Sequence, residues 1–135
     1  MEINIKMELY INTKNREELI DITDILKEKI TLKKGILHVF VPHATAAITI
    51  NENADKNLPK DINNFLNKLV ARGILLHDKI DANADAHIKA SIIGSSVSVP
   101  IENGKLNLGQ WQDIFLCEFD GPRKRKIILT EISTD

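Results

Sequence analysis

Ile3, Ile5, Met7, Leu9 and Ile11 fall on every second residue, with Asn4, Lys6, Glu8 and Tyr10 between them. A period of two predicts a strand with one face buried. From Arg16 to Ile30 the period lengthens. Leu19, Ile22, Ile25, Leu26 and Ile30 mark one face of a predicted helix, with Asn15 placed to cap it and Lys33-Lys34-Gly35 to end it. Ile36–Val41 and Ala46–Ile50 are β-rich runs separated at Pro42, which has no amide hydrogen for a ladder. A second helix is predicted over Leu58–Ala71, with Pro59 in its first turn and Ile62, Phe65, Leu66, Leu69 and Val70 facing inward. The pattern weakens from Arg72 to Asn83. Ala84–Ile93 then predicts a short helix stopped by Gly94, and Val97 and Val99 a strand. Glu102-Asn103-Gly104 is a hairpin turn signal. Ile114–Phe119 and Ile127–Ile132 predict two strands joined across Asp120-Gly121-Pro122. Strands and a few helices mix without a βαβ rhythm, so the expected class is α+β: a single compact domain with a largely antiparallel sheet and a few packed helices.

Composition narrows the function classes. A chain of 135 residues with 43% hydrophobic content builds one core. Eighteen Lys and Arg against 19 Asp and Glu leave a formal charge of −1, which gives no global attraction to nucleic acid or an anionic membrane. Aromatics at 4% leave few stacking platforms for bases. No apolar run spans a bilayer, and the alternating N-terminal segment lacks the apolar stretch of a signal peptide, so a cytoplasmic location is expected. The one cysteine, Cys117, rules out an intrachain disulfide framework, and its β-patterned setting predicts a buried, inert thiol. Neither a P-loop nor a Gly-x-Gly-x-x-Gly fingerprint is present.

Candidate chemistry lies at the ends of the predicted elements. His43, His77 and His87 sit in polar stretches, where imidazole can bind a metal or move protons near neutral pH. Three convergent imidazoles with an open position would suit a catalytic ion, although nothing in their spacing forms a local metal signature. His38, inside Ile36-Leu37-His38-Val39-Phe40, fits a strand face better. Glu52 closes one strand, and Asp85 stands two residues before His87, while Asp55, Asp61, Asp81 and Asn83 are equally well placed to support helix starts. Arg123-Lys124-Arg125-Lys126 and Gly94-Ser95-Ser96 could hold phosphate, with arginine matching its oxygens bidentately; a charged edge hairpin would use the same residues. Trp111 favours packing over substrate stacking, and Gln112 is a plausible polar contact.

These stretches taken together resemble a known family. His43-Ala44-Thr45-Ala46-Ala47-Ile48-Thr49-Ile50-Asn51-Glu52 with Asp55 and Asp61, then Asn83 to Ser91, Leu108-Gly109-Gln110-Trp111-Gln112, and Asp120-Gly121-Pro122-Arg123-Lys124-Arg125 are similar, in order, to four signatures of the YjbQ family, also called secondary thiamine-phosphate synthase. Gln110 departs from the Thr common there. The resemblance implies a compact α+β fold assembling as a homotrimer, with His43, His77 and His87 approaching one another in a cleft that can take a divalent metal such as zinc or magnesium. It further implies the joining of a pyrimidine diphosphate to a thiazole phosphate with release of pyrophosphate, as a secondary activity. The expected assignments are His87, Asp85 and Glu52 as catalytic groups, and His43, His77 and His87 as metal ligands. Arg123, Arg125, Ser91, Ser95 and Gln112 would contact a small phosphorylated substrate. A metal-assisted phosphate-ester hydrolase, a non-catalytic module binding a metal or phosphometabolite, and a purely structural oligomer remain as alternatives.

Overall fold

The computed structural model describes residues 4–134, so the expected strand position Ile3 lies outside the described residues. The chain runs β1 (Asn4–Asn12), β2 (Glu18–Asp21), α1 (Thr23–Lys29), β3 (Lys34–Phe40), β4 (Ala46–Asn51), α2 (Asn57–Leu69), a 3-10 turn at Leu76–Lys79, α3 (Ala84–Ile93), β5 (Ser96–Glu102), β6 (Lys105–Leu106), β7 (Asp113–Glu118) and β8 (Lys124–Ser133). Strands β1-β8-β3-β5-β6 form one sheet and β2-β7-β4 a second, and every neighbouring pair is antiparallel. The class is the expected α+β.

Three layers follow from which faces are apolar. Leu37, Val39, Val99, Ile101, Ile127 and Leu129 of the five-stranded sheet meet Ile48, Ile114 and Leu116 of the smaller one, with Ile22 and Leu26 beside them. The other face of the smaller sheet sets Ala47, Phe115 and Cys117 against Leu66 of α2 and Ala86 and Ala90 of α3. Strand β7 is therefore covered on both sides, which explains the apolar run Ile114–Cys117. Strand β8 alternates instead, burying Arg125, Ile127, Leu129 and Glu131. Among the described residues, no helix packs across the outer face of the larger sheet.

Four local readings differ from expectation. The segment expected as one helix over 16–30 divides into β2 and α1. Leu19 and Ile20 pair with Cys117 and Leu116, and a strand partner outweighs a helical apolar period. The helix then begins after Asp21, whose Oδ1 accepts the Thr23 amide at 3.0 Å, while Asn15 caps nothing and donates its amide to Glu18 Oε2 at 2.8 Å. In α2, Leu66 is buried, but Phe65 and Leu69 remain 62% and 58% exposed. Lastly, β7 and β8 belong to different sheets, so Asp120-Gly121-Pro122 is a crossing and not a hairpin. The Asn103-Gly104 turn does form, both residues adopting the positive φ (53° and 73°) that a tight hairpin needs.

Three connections pass between layers at one end of the sandwich: Val41–Thr45 from β3 to β4, Gly94-Ser95 from α3 to β5, and Phe119–Arg123 from β7 to β8. Backbone bonds tie them together, Val41 N to Ser95 O at 2.9 Å, Ile48 N to Gly94 O at 3.1 Å and Phe119 N to Thr45 O at 3.2 Å. Gly121 fits because it has no side chain. Its amide donates to Arg16 O at 2.9 Å, and a Cβ there would stand 2.3 Å from Asn15 O and 2.9 Å from Thr13 Oγ1. The substitution Gly121→Ala must push the crossing away from the 13–16 segment. The expected cost is about 1–3 kcal/mol, as for other overpacked sites, measured as a shift in denaturant midpoint at unchanged slope.

Candidate functional site

A groove opens where these connections cross. Two hollows of about 430 and 590 Å³ share His43, Ala44 and His87. The first continues along Ala90, Ser91, Gly94 and Ser95; the second runs over Asn83, Asp120, Arg123 and Lys124. The combined size suits a small metabolite.

His43 enters from the β3–β4 connection. Its Nε2 accepts the Lys126 amide at 2.9 Å, so the neutral ring carries its proton on Nδ1. Burial, followed by the Arg125 charge and those of Lys126 and Arg123, lowers its pKa from the usual 6.5, with Glu118 opposing. The ring therefore keeps its neutral, hydrogen-bond-donating form to lower pH than a free histidine does. His87 lies on the first turn of α3, and neither of its ring nitrogens is hydrogen-bonded to another described residue. His77 meets the His87 ring edge-on at 4.9 Å between centroids, but it lines a separate apolar hollow with Leu75, Leu76 and Ile88. The three histidines thus form a row with His87 in the middle.

This donor set does not fit a three-histidine ion within one chain. Among the described residues, no group of three His, Cys, Asp or Glu side chains stands close enough to hold a metal. The nitrogen pair of His43 is also committed, one accepting from Lys126 and the other carrying a proton. No step below runs through a metal.

The two arginines separate sharply. Arg123 is 53% exposed on its side chain, held by Nε to Asp120 O at 2.7 Å and by one terminal nitrogen to Asp120 Oδ2 at 3.0 Å. Arg125 is 3% exposed and bound through Nε and one terminal nitrogen. Its Nε donates to Glu118 Oε1 at 2.8 Å, and its terminal nitrogen donates to Glu118 Oε2 and to Thr45 Oγ1, the latter at 2.9 Å. Thr13 Oγ1 and the Asp120 amide complete the Glu118 carboxylate at 2.7 and 3.1 Å. Arg125 therefore supports the groove from beneath, with its Nε and one terminal nitrogen engaged by Glu118.

Asp85 is likewise structural. Its buried carboxylate takes Arg16 at 3.1 and 3.3 Å and Lys89 Nζ at 3.3 Å. Burial alone would raise its pKa, but the Arg16 bond and the Arg16 and Lys89 charges hold it below the usual range. Lys89, fully buried, also donates to Glu17 Oε2 at 2.9 Å and to Asn67. Two residues on either side of His87 thus anchor α3 to the 16–17 segment. Ser91 spends its hydroxyl on His87 O at 2.9 Å, whereas Ser95 is exposed at the groove. Glu52 and Gln112 stand elsewhere. Asn51 pairs with Asp113 and Ala46 with Glu118, so Glu52 and Gln112 lie at the far end of the β4–β7 ladder, roughly 17 Å from Ala46 at about 3.4 Å per residue. Gln112 turns back to accept the Gly109 amide at 2.8 Å. His38 lies on the outer strand face with Nδ1 3.1 Å from Ser98 Oγ, and burial pushes the Cys117 thiol up to about 12.

Sequence reading passed over Asp120, Asn83 and Asp78 as working groups. Asp120 accepts from Asn83 Nδ2 at 2.8 Å as well as from Arg123, joining the α3 start to the crossing. Asp78 accepts the Leu75 and Ala84 amides, both at 3.0 Å, capping α3 from outside the helix. Asp120 sits three residues before Arg123, a spacing that offered a signal; Asp78, six before Ala84 across an irregular turn, offered none.

The family described as UPF0047 protein YjbQ-like matches residues 7–134. A UPF0047 protein from Archaeoglobus fulgidus is 48% identical over 124 residues, covering 91% of this chain and 98% of its own. The Bacillus subtilis UPF0047 protein YugU is 42% identical over 120 residues, covering 87% and 91%. Among solved structures, a protein of unknown function from Sulfolobus solfataricus superposes with a TM-score of 0.89 at 37% identity, covering 98% of this chain and 99% of its own. A Clostridium acetobutylicum protein of the yjbq/upf0047 family does so at 0.86 and 44%, covering 93% and 98%. Sequence and fold agree along nearly the whole length, and the chain belongs to the YjbQ (UPF0047) family.

Proposed function

We propose that the protein is a cytoplasmic enzyme of phosphate-ester chemistry, acting as a thiamine-phosphate synthase-like transferase in the groove. In that reaction the thiazole ring nitrogen forms a bond to the methylene carbon of the pyrimidine diphosphate. The carbon–oxygen bond to the diphosphate breaks, and pyrophosphate departs with the electron pair. The chemical demand is to neutralise that departing charge in a site that excludes bulk water. One observation carries the reading: the unclaimed imidazole of His87 shares a groove with the neutral N–H of His43 and with Arg123 and Lys124. Arg123 and Lys124 grip the phosphates, His43 donates from Nδ1, and His87 in its protonated form hands a proton to the leaving oxygen. Ser95 adds a hydroxyl at the other end of the groove.

Pyrophosphate release from a pyrimidine diphosphate and a thiazole phosphate tests this. His87→Ala is expected to lower kcat by about 100-fold or more, in the range of general acid–base catalysis, with an unchanged melting temperature. Arg123→Ala is expected to act mainly on KM. No turnover by the wild-type chain, or full turnover by His87→Ala, would overturn the assignment, and phosphate binding without turnover would leave an anion-binding module.

We further propose a closed homotrimer. A three-fold ring joins two different patches, one from each neighbour. The chain exposes two apolar surfaces on opposite sides of the layered fold: Phe65, Leu69 and Ile92 on the helical side, and Ile36 and Ile132 on the outer face of the larger sheet. Light scattering should give three times the 15.2 kDa chain mass. Phe65→Asp with Leu69→Asp, and separately Ile36→Lys with Ile132→Lys, should each yield monomers. A dimeric wild-type mass, or a trimer indifferent to either pair, contradicts the ring.

A further inference from the structure

Beside the groove lies an apolar hollow of about 350 Å³ that the groove chemistry does not use. Leu75, Leu76, His77, Ala84, His87 and Ile88 line it. One carboxylate holds both of its walls. Asp78 Oδ2 accepts the Leu75 amide and Oδ1 the Ala84 amide, each at 3.0 Å, so the Leu75-Leu76 wall is fixed against the start of α3. The turn between them is closed by Asp78 N to Leu75 O at 3.1 Å and Ile80 N to His77 O at 2.9 Å. His77 is braced twice: Asp81 Oδ2 stands 3.4 Å from its Nε2, and its ring meets His87 edge-on. On these fixed walls Leu76 remains 83% exposed and Ile88 39%, apolar area left facing water. His87 borders the hollow and both parts of the groove. Arg123 and Lys124 stand in the groove, whereas no carboxylate, lysine or arginine among the described residues lines the hollow. His87 is therefore the border between a cationic surface and an apolar one.

We propose that this hollow is the ring subsite of the substrate: a planar aromatic group, joined through one methylene carbon to the phosphates, lies against Leu75, Leu76 and Ile88 while the phosphates lie over Arg123 and Lys124. The assignment rests on the transferase reading above, in which His87 hands its proton to the leaving oxygen. That oxygen must then lie at the His87 ring. Its phosphorus side is drawn towards the two cations. Its carbon side must leave in another direction, and the hollow is the apolar surface that begins at the same ring. The bond broken joins that oxygen to the methylene carbon. The electron pair and the His87 proton depart with the phosphates, and the ring stays in the hollow while the thiazole nitrogen bonds to the methylene carbon. A flat ring laid over Leu76 and Ile88 removes apolar area from water on both partners. Inorganic diphosphate leaves that area wet, and a sugar ester would bury hydroxyls without partners. Charge recognition thus falls to the β7–β8 crossing, and selection among phosphate esters to the 75–76 segment and α3.

Benzyl phosphate, methyl phosphate and inorganic pyrophosphate serve as probes on the full chain, with binding followed by calorimetry and methyl NMR. The wild type is expected to hold benzyl phosphate about tenfold or more tightly than methyl phosphate, the difference a buried ring supplies. Benzyl phosphate should move the methyl signals of Leu75, Leu76 and Ile88 by its ring current, and methyl phosphate should not. Leu76→Ser with Ile88→Ser should reduce the preference to about twofold or less and leave pyrophosphate affinity unchanged. Both positions are exposed, so the fold is kept. Arg123→Ala should instead weaken all three probes. Equal binding of the two esters, unmoved methyl signals, or a preference that survives Leu76→Ser with Ile88→Ser would overturn the subsite. Loss of the native assembly mass in that variant, with the preference intact, assigns the hollow to a second copy of the chain and overturns it equally. Turnover is a separate readout. Ester preference without pyrophosphate release strikes the transferase and keeps the ring-binding hollow, whereas release without preference strikes the subsite alone.

Discussion

The buried pair between Glu118 and Arg125 is the contact on which the groove depends. Glu118 ends β7 in the smaller sheet, and Arg125 lies near the start of β8 in the larger one, so the pair bridges the two sheets where the chain crosses between them. Both side chains are almost wholly removed from water, and such charges are tolerated only when paired and hydrogen-bonded. Thr13 reaches Glu118 from the end of β1, Thr45 reaches Arg125 from the β3–β4 connection, and the Asp120 amide closes the set. Leaving either charge unpaired in the interior would cost about 3–5 kcal/mol, so these segments keep one geometry. His43 is fixed by the same arrangement, because the strand that buries Arg125 presents the next amide, from Lys126, to its ring.

That frame also explains how a nearly neutral chain can offer a basic groove. The cations at the rim have partners they can give up. Arg123 is shared with Asp120 at the surface, Lys124 stands 4.7 Å from the centre of the Tyr10 ring, and Lys126 is 3.7 Å from Glu8. Exposed pairs of this kind are worth about 0–1 kcal/mol, so the rim cations could exchange these partners at little cost. The buried cations, Arg125 and Lys89, cannot be recruited in this way. Charge is divided by burial into a part that holds the fold and a part left exposed at the groove and its surroundings.

The sequence carried much of the architecture because strand burial leaves a strong period. Alternation in β1 and β8 and the apolar run Ile114–Cys117 of β7 each correspond to a distinct pattern of covered faces. Helical reading failed at 16–30 for a reason no local window contains: the partner of Leu19 and Ile20 is nearly a hundred residues away. Phe65 and Leu69 were expected inward because a periodic apolar stripe says that a face will be covered, not by which chain. Site residues were legible as types and not as roles. Arg123 and Arg125 look equivalent in the sequence, and only the pleat, turning one into the sandwich and leaving the other before the strand, tells ligand contact from scaffold. Asp85 resembled an acid beside His87 until Arg16 and Lys89 were seen to consume it.

The two ends of the β4–β7 ladder solve the same problem, holding carboxylates where three chain segments meet, with opposite chemistry. At the groove end Glu118 is matched by the Arg125 guanidinium, and the strand that carries Arg125 fixes the His43 tautomer through the Lys126 amide. At the far end Asp21 takes neutral donors, the Thr23 amide and hydroxyl and the Asn53 side-chain amide. Glu52 and Gln112 stand beside the second joint and not the first, which removes them from contact with anything bound between His43 and His87. The difference follows from burial: Glu118 is wholly removed from water and needs an opposite charge, whereas half-buried Asp21 is satisfied by neutral donors.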